Sequence, residues 1–560
     1  MRDYLARQIK EALETMGDVP AGFEPEFQQP ANPDHGDLST NVALQLARPL
    51  KRAPRQVAED LVARLRFDPR RITSAEIAGP GFINFRFSEH FLSDALTDIL
   101  RQGDRYGRTA TGAGRRVLVE FVSANPTGPL TVGHGRNAVL GDTISNLYSW
   151  TGWDVTREYY FNDAGRQMRI LGQSVQARYV ALADPSHGTK MIDGAGEPVE
   201  VPESFPEDGY LGDYIGTIAT GLFEKHGNSL LGSDDPQPFK EAAETAIFTE
   251  IKATLVRLGI RMDTYFNERT LYESGQIWQI VDDLKARNLA YEKDGAVWFR
   301  TTGFGKETDT VLVKSTGEPT YRLPDIGYHV EKLGRGFDCV VDVFGADHIA
   351  TFPDVVAGVK ALGHDSDRIQ VLIYQFVTLV RGGEPVKMST RKATYVTLDE
   401  LMDEVSEDVT RFFFLMRSPN THLEFDLDLA KEASEKNPVF YLQYAHARIC
   451  SILRKAEEVG FSFDAEGDLT LLTHEVESSL IKVLLSFPDT LDRAAEAHEP
   501  HRVATYLREV AVAFTQFYGA CRIIGEDPAV AGARMRLALA ARRVLRNGLT
   551  VLGLSAPERM

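Results

Sequence analysis

Residues 126–142 read PTGPLTVGHGRNAVLGD, and their flanks decide the fold. Before them runs VLVEFVS (117–123), a β-branched apolar strip that reads as a buried parallel strand. After them NAVLGDTISNLYSWTG places Val139, Leu140, Ile144 and Leu147 at helical intervals. The segment is therefore a strand-to-helix loop, with four glycines and two prolines around a single histidine, His134. Bare backbone at a helix start brings free N–H groups and the positive end of the helix dipole close to a ligand, which favours phosphate. His134 in that place can donate to a phosphate oxygen; the plainer reading is a loop histidine satisfied by a backbone carbonyl.

Outward from this loop, strand-like and helix-like segments alternate: DVTREYYF (154–161), CVVDVFGADH (339–348) and IQVLIYQFVTLV (369–380), with helical patterns between. Such alternation predicts an α/β catalytic domain built on a Rossmann-like doubly wound parallel sheet, over 113–435. The acidic loop and the helical stretch PFKEAAETAIFTEIKATLVRLGI (238–260) suggest an insertion at about 183–285, between two halves of that sheet. Residues 1–110 combine an amphipathic helix, the turn-rich ANPDHGDLSTNVALQLA and a strand pair in ITSAEIAGPGFINFRFS, a small α+β domain. From 436 to 560 every segment has helical period, and a helical bundle is expected.

Composition limits the function. The chain has 560 residues, 43% of them apolar, enough for roughly 3 to 4 packed domains. It has no apolar run of the roughly 18 residues a membrane helix needs, and MRDYLARQIKEALETMG reads as an amphipathic helix rather than a signal, so a cytoplasmic location is expected. Cys339, Cys450 and Cys521 form neither a C-x-x-C pair nor a disulfide pattern, and no metal site is expected. A net charge of -18 excludes an extended, non-specific phosphate binder. The charge is uneven: Met191 to Glu224 holds no Lys or Arg, whereas 501–560 has nine Arg against three Glu and one Asp.

Two readings compete for the glycine loop. Gly133, Gly135 and Ala138 fit the G-x-G-x-x-A dinucleotide fingerprint with Asp154 as ribose ligand, which would make a Rossmann oxidoreductase. That fingerprint should follow its strand directly, yet Pro126 and Pro129 intervene. The second reading pairs the loop with RGGEPVKMSTRKATYVTL (381–398), a polar loop carrying Lys387, Arg391 and Lys392 after an apolar strand. A cationic loop at the carboxyl edge of a parallel sheet is placed to neutralise a polyphosphate as its charge redistributes.

TVGH (131–134) and KMST (387–390) resemble the paired HIGH and KMSKS signatures of class I aminoacyl-tRNA synthetases. VEFVSANPTGPLTVGHGRNAVLGD, YYFNDAGRQM, VLVKSTGEPTYRLPDIGYH, VFGADH, VKMSTRKATYVTLDEL, NPVFYLQYAHARICSIL and the closing APERM resemble arginyl-tRNA synthetases specifically, over nearly the whole chain. The resemblance implies a ligase that activates L-arginine with Mg2+-bound ATP and transfers it to the 3' adenosine of tRNA(Arg), working as a monomer. It also implies a requirement for bound tRNA in the activation step. A third reading, a synthetase-like protein that binds tRNA without charging it, is opposed by the intact pair of loops.

A planar guanidinium with five donors calls for carboxylates and a flat aromatic or amide partner. By resemblance, Tyr321 and Asp325 grip it, Glu120, Ser123, Asn125 and His134 hold the rest of the substrate, and Asp347 and His348 line the same site. ATP is expected on Gly133, His134, Asn137, Lys387, Met388 and Ser389. Two positions depart from the family pattern: Thr131 stands at the first histidine of HIGH, and Thr390 at the second lysine of KMSKS, with Gly128 where some members carry a compensating lysine. The pyrophosphate charge then falls to Lys387, Arg391 or Lys392. Asn32 and His35, in the block NPDHGD, are expected on the tRNA corner, and Tyr518 and Met560 on the anticodon.

Overall fold

The computed structural model describes the chain apart from residues 18, 21, 29, 31, 33, 34, 164, 185, 194–197, 233, 234, 387–395 and 462–466, and the side chain of residue 3. At its centre lie five strands, β1 (Arg116–Glu120), β2 (Asp154–Phe161), β3 (Thr264–Asn267), β4 (Cys339–Gly345) and β5 (Ile369–Tyr374). They form one sheet in the order β5-β4-β1-β2-β3 with all pairs parallel. From β1 the chain winds first one way and then the other, so a topological switch point lies between β1 and β4. In open parallel sheets a ligand crevice forms at that point, outside the carboxyl ends of the strands.

Helix α1 (Val132–Trp150) connects β1 to β2 and is buried on nearly every side, which suits its weak amphipathicity. Gly141 is required there: a Cβ at that position would lie 2.2 Å from the ring of Phe121. The stretch 183–285, expected as an insertion between the sheet's halves, is divided by β3. The hairpin Thr189–Asp193/Pro198–Pro202 and the helices Asp213–His226 and Gln237–Arg257 belong instead to the β2–β3 crossover. Between the halves stands a three-stranded antiparallel sheet of Ala290–Lys293, Ala296–Phe299 and Thr310–Val313, followed by helix α2 (Arg322–Gly334). The four residues TYFN of β3 are too few for periodicity to distinguish from the helices around them.

The N-terminal part packs the helices Arg2–Leu13, Val42–Ala47 and Pro54–Arg64 on a four-stranded antiparallel sheet, around a core of its own. Lys482 meets Asp37 at 2.6 Å and Arg493 donates to the Phe27 carbonyl at 2.8 Å, joining it to the C-terminal bundle. That bundle, of helices Pro438–Glu458, Glu475–Leu485, Phe487–Glu496, His501–Ala520 and Pro528–Val551, shares one continuous core with the sheet. The buried Arg411 ties the two: its guanidinium reaches Asp142 of α1 at 2.6 Å, the Leu258 carbonyl at 2.8 Å and the Leu552 carbonyl at 3.1 Å. No described helix is long and apolar enough to cross a membrane.

Candidate active site

The loop after β1 is held in a strained shape. Val122 and Ser123 have φ of 68° and 44°, a left-handed conformation that costs most for a β-branched residue such as Val. Asn137 clamps it: its Oδ1 accepts from the Val122 N–H at 2.6 Å and its Nδ2 donates to the Val343 carbonyl at 2.9 Å. Asn137, expected as an ATP contact, is a buried latch between the loop after β1 and β4, with both ends of its amide engaged within the protein.

Thr131 caps α1. His134 is drawn back onto it, Nδ1 accepting from the Thr131 N–H at 3.1 Å and lying 3.2 Å from its hydroxyl. With Nδ1 an acceptor, the neutral ring carries its proton on Nε2, and burial lowers the imidazole pKa, which favours that neutral form. His134, Thr131, Gly128, Pro129 and Asn125 border a cleft of about 700 Å3. Its other wall comes from the β2–β3 crossover, with Asp208, Tyr210 and Tyr214; the Tyr214 hydroxyl donates to the Thr127 carbonyl at 2.6 Å.

The chain that follows the cationic loop reaches the same place. Lys387, Met388, Ser389, Thr390, Arg391 and Lys392 lie outside the described residues, but the chain emerges from that loop directly against α1. Thr397 forms a bridge with Thr131, and the Leu398 N–H donates to the Leu130 carbonyl at 2.8 Å. Gly135 permits the approach, since a Cβ there would lie 2.6 Å from Leu398 and 2.9 Å from Phe414. Thr397 and Leu398, remote in sequence from the His134 loop, therefore meet it at the switch point.

The dinucleotide reading fails on geometry. Residues 121–131 separate β1 from α1, Gly135 is engaged in packing, and Asp154 stands at the amino end of β2, at the far edge of the sheet from the crevice.

At the carboxyl end of β1, Glu120 is buried; its Oε1 accepts from the Ser123 hydroxyl at 2.8 Å and its Oε2 from Lys332 at 2.5 Å. Asn125, on the cleft rim, accepts from the Asn162 N–H at 3.1 Å, and Asn162 donates through Nδ2 to Glu268 at 2.8 Å. Glu268 also accepts from the Tyr160 and Tyr272 hydroxyls. Burial raises the Glu268 pKa. Asp325, in the first turn of α2, is pushed up to about 7 by burial, with Glu268 and Glu120 adding to the shift against the opposing pull of His329. Close acidic groups held away from water make a ready site for a cation.

Glu268, Tyr160, Tyr272 and Asn162 were not singled out in the sequence reading; Tyr160 and Asn162 lie in the block YYFNDAGRQM, a signal that could have found them. Tyr321, expected beside Asp325, is the cap residue of α2 and is 86% exposed, its ring turned outward by the helix start. Asp347 and His348 form a 3-10 turn just past β4. His348 stacks on Phe344 with centroids 4.8 Å apart, and Asp347 folds over Gly345, whose Cβ would lie 2.5 Å from its Oδ1.

The candidate RNA contacts lie apart from this cleft. Asn32 and His35 are exposed on a turn of the N-terminal part, the His35 N–H donating to the Asn32 carbonyl at 3.0 Å. Tyr518 is 37% exposed, stacked on Phe514, with Arg448 of the neighbouring helix 4.9 Å above its ring. Met560 is 55% exposed at the end of a tail held on helix Pro438–Glu458, where His446 meets the Pro557 carbonyl at 2.9 Å. Several arginines of the basic tail are engaged internally: Arg534 with Glu477 and Arg543 with Asp104, each at 2.6 Å, and Arg536 on the Gly467 carbonyl.

Three family models match the chain in succession: an arginyl tRNA synthetase N terminal domain over residues 3–87, a class I (R) tRNA synthetase catalytic domain over 95–422, and a DALR anticodon binding domain over 442–560. The arginine–tRNA ligase of Salinibacter ruber is 63% identical over 562 residues, covering 100% of both chains. The chain belongs to the arginyl-tRNA synthetase family. A second arginine–tRNA ligase, of Chlorobium phaeobacteroides, is 50% identical over 570 residues and 100% of both chains. Among solved structures, the arginyl-tRNA synthetase of Thermus thermophilus superposes with a TM-score of 0.77 at 21% identity, covering 100% of each chain. A putative arginyl-tRNA synthetase of Campylobacter jejuni gives 0.74 at 29%, covering 85% of this chain and 100% of that one. Thr131, at the first position of the TVGH segment, caps α1 and holds the His134 ring.

Proposed function

We propose that this chain activates arginine with ATP and esterifies it to tRNA, through residues gathered around the switch point. The observation that carries the reading is the meeting of the His134 loop with the chain leaving residues 387–395, beside the buried Glu120 and Glu268 and the half-buried Asp325. Asp325 and Glu268 are the guanidinium ligands, flanked by the Tyr160 and Tyr272 rings. Glu120 and Asn125 hold the α-ammonium end, with Ser123 orienting Glu120. The Nε2–H of His134 donates to phosphate at the start of α1. Tyr321, Asp347 and His348 rim the site.

The arginine carboxylate oxygen attacks the α-phosphorus of ATP, the bond to the bridging oxygen breaks and pyrophosphate leaves. A ribose hydroxyl of the terminal adenosine then attacks the carbonyl carbon, and AMP departs. Rate comes from orientation and charge stabilisation, with no covalent enzyme intermediate. Mg2+ enters as the ATP complex, and Lys387, Arg391 or Lys392 balances the leaving pyrophosphate. Tyr518, Arg448 and Met560 face the anticodon, Asn32 and His35 the outer corner of the tRNA. Both substrate ends and both RNA faces come from one polypeptide, which supports a monomer, acting in the cytoplasm where tRNA is charged. The functional units are bounded near 110 and 436. Arginine-dependent ATP–pyrophosphate exchange, with and without tRNA, tests the scheme: exchange is expected with tRNA bound, and robust exchange without it would refute the requirement.

A further inference from the structure

Lys332 is fully buried, yet an ammonium has three donors to satisfy and a high desolvation cost. Its Nζ lies 2.5 Å from Glu120 Oε2 and 2.6 Å from Asp342 Oδ1, and 4.1 Å above the Tyr328 ring. Glu120 and Asp342 are direct register partners on β1 and β4, so two carboxylates stand side by side on neighbouring strands, roughly 5 Å apart along the sheet. Without a cation between them, both cannot stay ionised in a buried place. Asp342 in turn accepts from His329 Nε2 at 2.9 Å, and His329 Nδ1 lies 2.7 Å from the Asp325 carbonyl. The path thus runs from Glu120 to the turn that carries Asp325. Burial pushes Glu120 towards its protonated form, and Lys332 is the strongest influence opposing it.

We propose that Lys332 is a positioning residue for arginine: by neutralising Asp342 it keeps Glu120 ionised and aimed at the substrate's α-ammonium group. This rests on the reading of Glu120 given above. Lys332 touches no substrate; it acts through Glu120.

The test is a double-mutant cycle on the full chain, following arginine and ATP KM in tRNA charging with thermal melting in parallel. Lys332→Met removes the cation and leaves two adjacent buried carboxylates, so arginine KM should rise by about 30-fold or more, with ATP KM changed less than about threefold. Asp342→Asn alone should have a small effect, because Lys332 still pairs with Glu120. The combined variant also removes the Asp342 charge that opposes ionisation of Glu120, so it should recover part of the arginine KM lost in Lys332→Met; a packing role would give no such recovery. Should Lys332→Met fail to fold, the combined variant against Asp342→Asn reads the loss of the cation alone: arginine KM should still rise there with ATP KM little changed, and an unchanged arginine KM would overturn the proposal. An unchanged arginine KM in Lys332→Met, an equal rise in both substrates, or equal defects in the single and combined variants would overturn the proposal. Glu120→Gln separates the two layers: if it leaves arginine KM unchanged, the assignment of Glu120 itself is wrong; if it weakens arginine while Lys332→Met does not, only the positioning role fails.

Discussion

With Asp325 as a guanidinium ligand, arginine affinity is expected to depend on pH. The Asp325 carboxyl is pushed up to about 7, chiefly by burial, so the unliganded site holds a protonated acid below that pH and a carboxylate above it. A guanidinium stays charged throughout and binds the carboxylate, so affinity rises with pH. The ionised fraction is about 0.1 at pH 6 and about 0.9 at pH 8, which gives roughly tenfold weaker binding at pH 6, or about 1.4 kcal/mol. Binding at pH 6 should also release nearly one proton. Isothermal titration of arginine into the protein, in buffers of differing ionisation enthalpy, measures both quantities. Asp325→Asn should flatten the profile and weaken arginine by about 3 kcal/mol, because Glu268 is left as the remaining carboxylate for a buried cation. A flat profile in the unaltered protein, a slope of opposite sign, or an unchanged slope in Asp325→Asn would refute the reasoning.

Replacing His134 by Ala removes the donor at the start of α1 and is expected to lower kcat by roughly 10²- to 10³-fold; normal turnover would reduce that loop to a turn. Gly141→Ala should lower stability by about 1–3 kcal/mol although Ala is the better helix former, because its Cβ collides with Phe121; a raised melting temperature would contradict the packing of α1 on β1. Tyr518→Ala and a substituted anticodon base should each lower kcat/KM and fail to add when combined, whereas full additivity would place the anticodon elsewhere.

How legible the molecule was depends on the range of the interaction concerned. The parallel strand in VLVEFVS, which ends at Glu120 rather than Ser123, the helix after it and the helical bundle are local patterns of apolar spacing that the structure retains. β3 was hidden because its place in the sheet is settled by pairing with β2, which four residues cannot advertise. Glu268, Lys332 and His329 read as ordinary charged and polar residues of a helix or turn, and gain meaning only from partners brought up by the sheet's register, such as Glu120 opposite Asp342. Asn137 is a similar case: its amide is claimed by Val122, in the loop after β1, and by Val343 of β4. Tyr321 is the reverse case, legible as a motif residue but turned outward by the helix start it caps. The arginines that make the tail locally basic are partly engaged with Glu477 and Asp104, whose partnership no linear reading contains.

The measurement that tests the account most directly is charging itself: purified chain, Mg-ATP, a tRNA(Arg) transcript and radiolabelled arginine, with labelled lysine and citrulline in parallel. The account predicts label on the 3' end of the tRNA with arginine alone and release of AMP and pyrophosphate in step with it, lost in Asp325→Asn at low arginine concentration and recovered as arginine is raised. Charging with lysine or citrulline at comparable rates, or AMP formation independent of arginine, would contradict it.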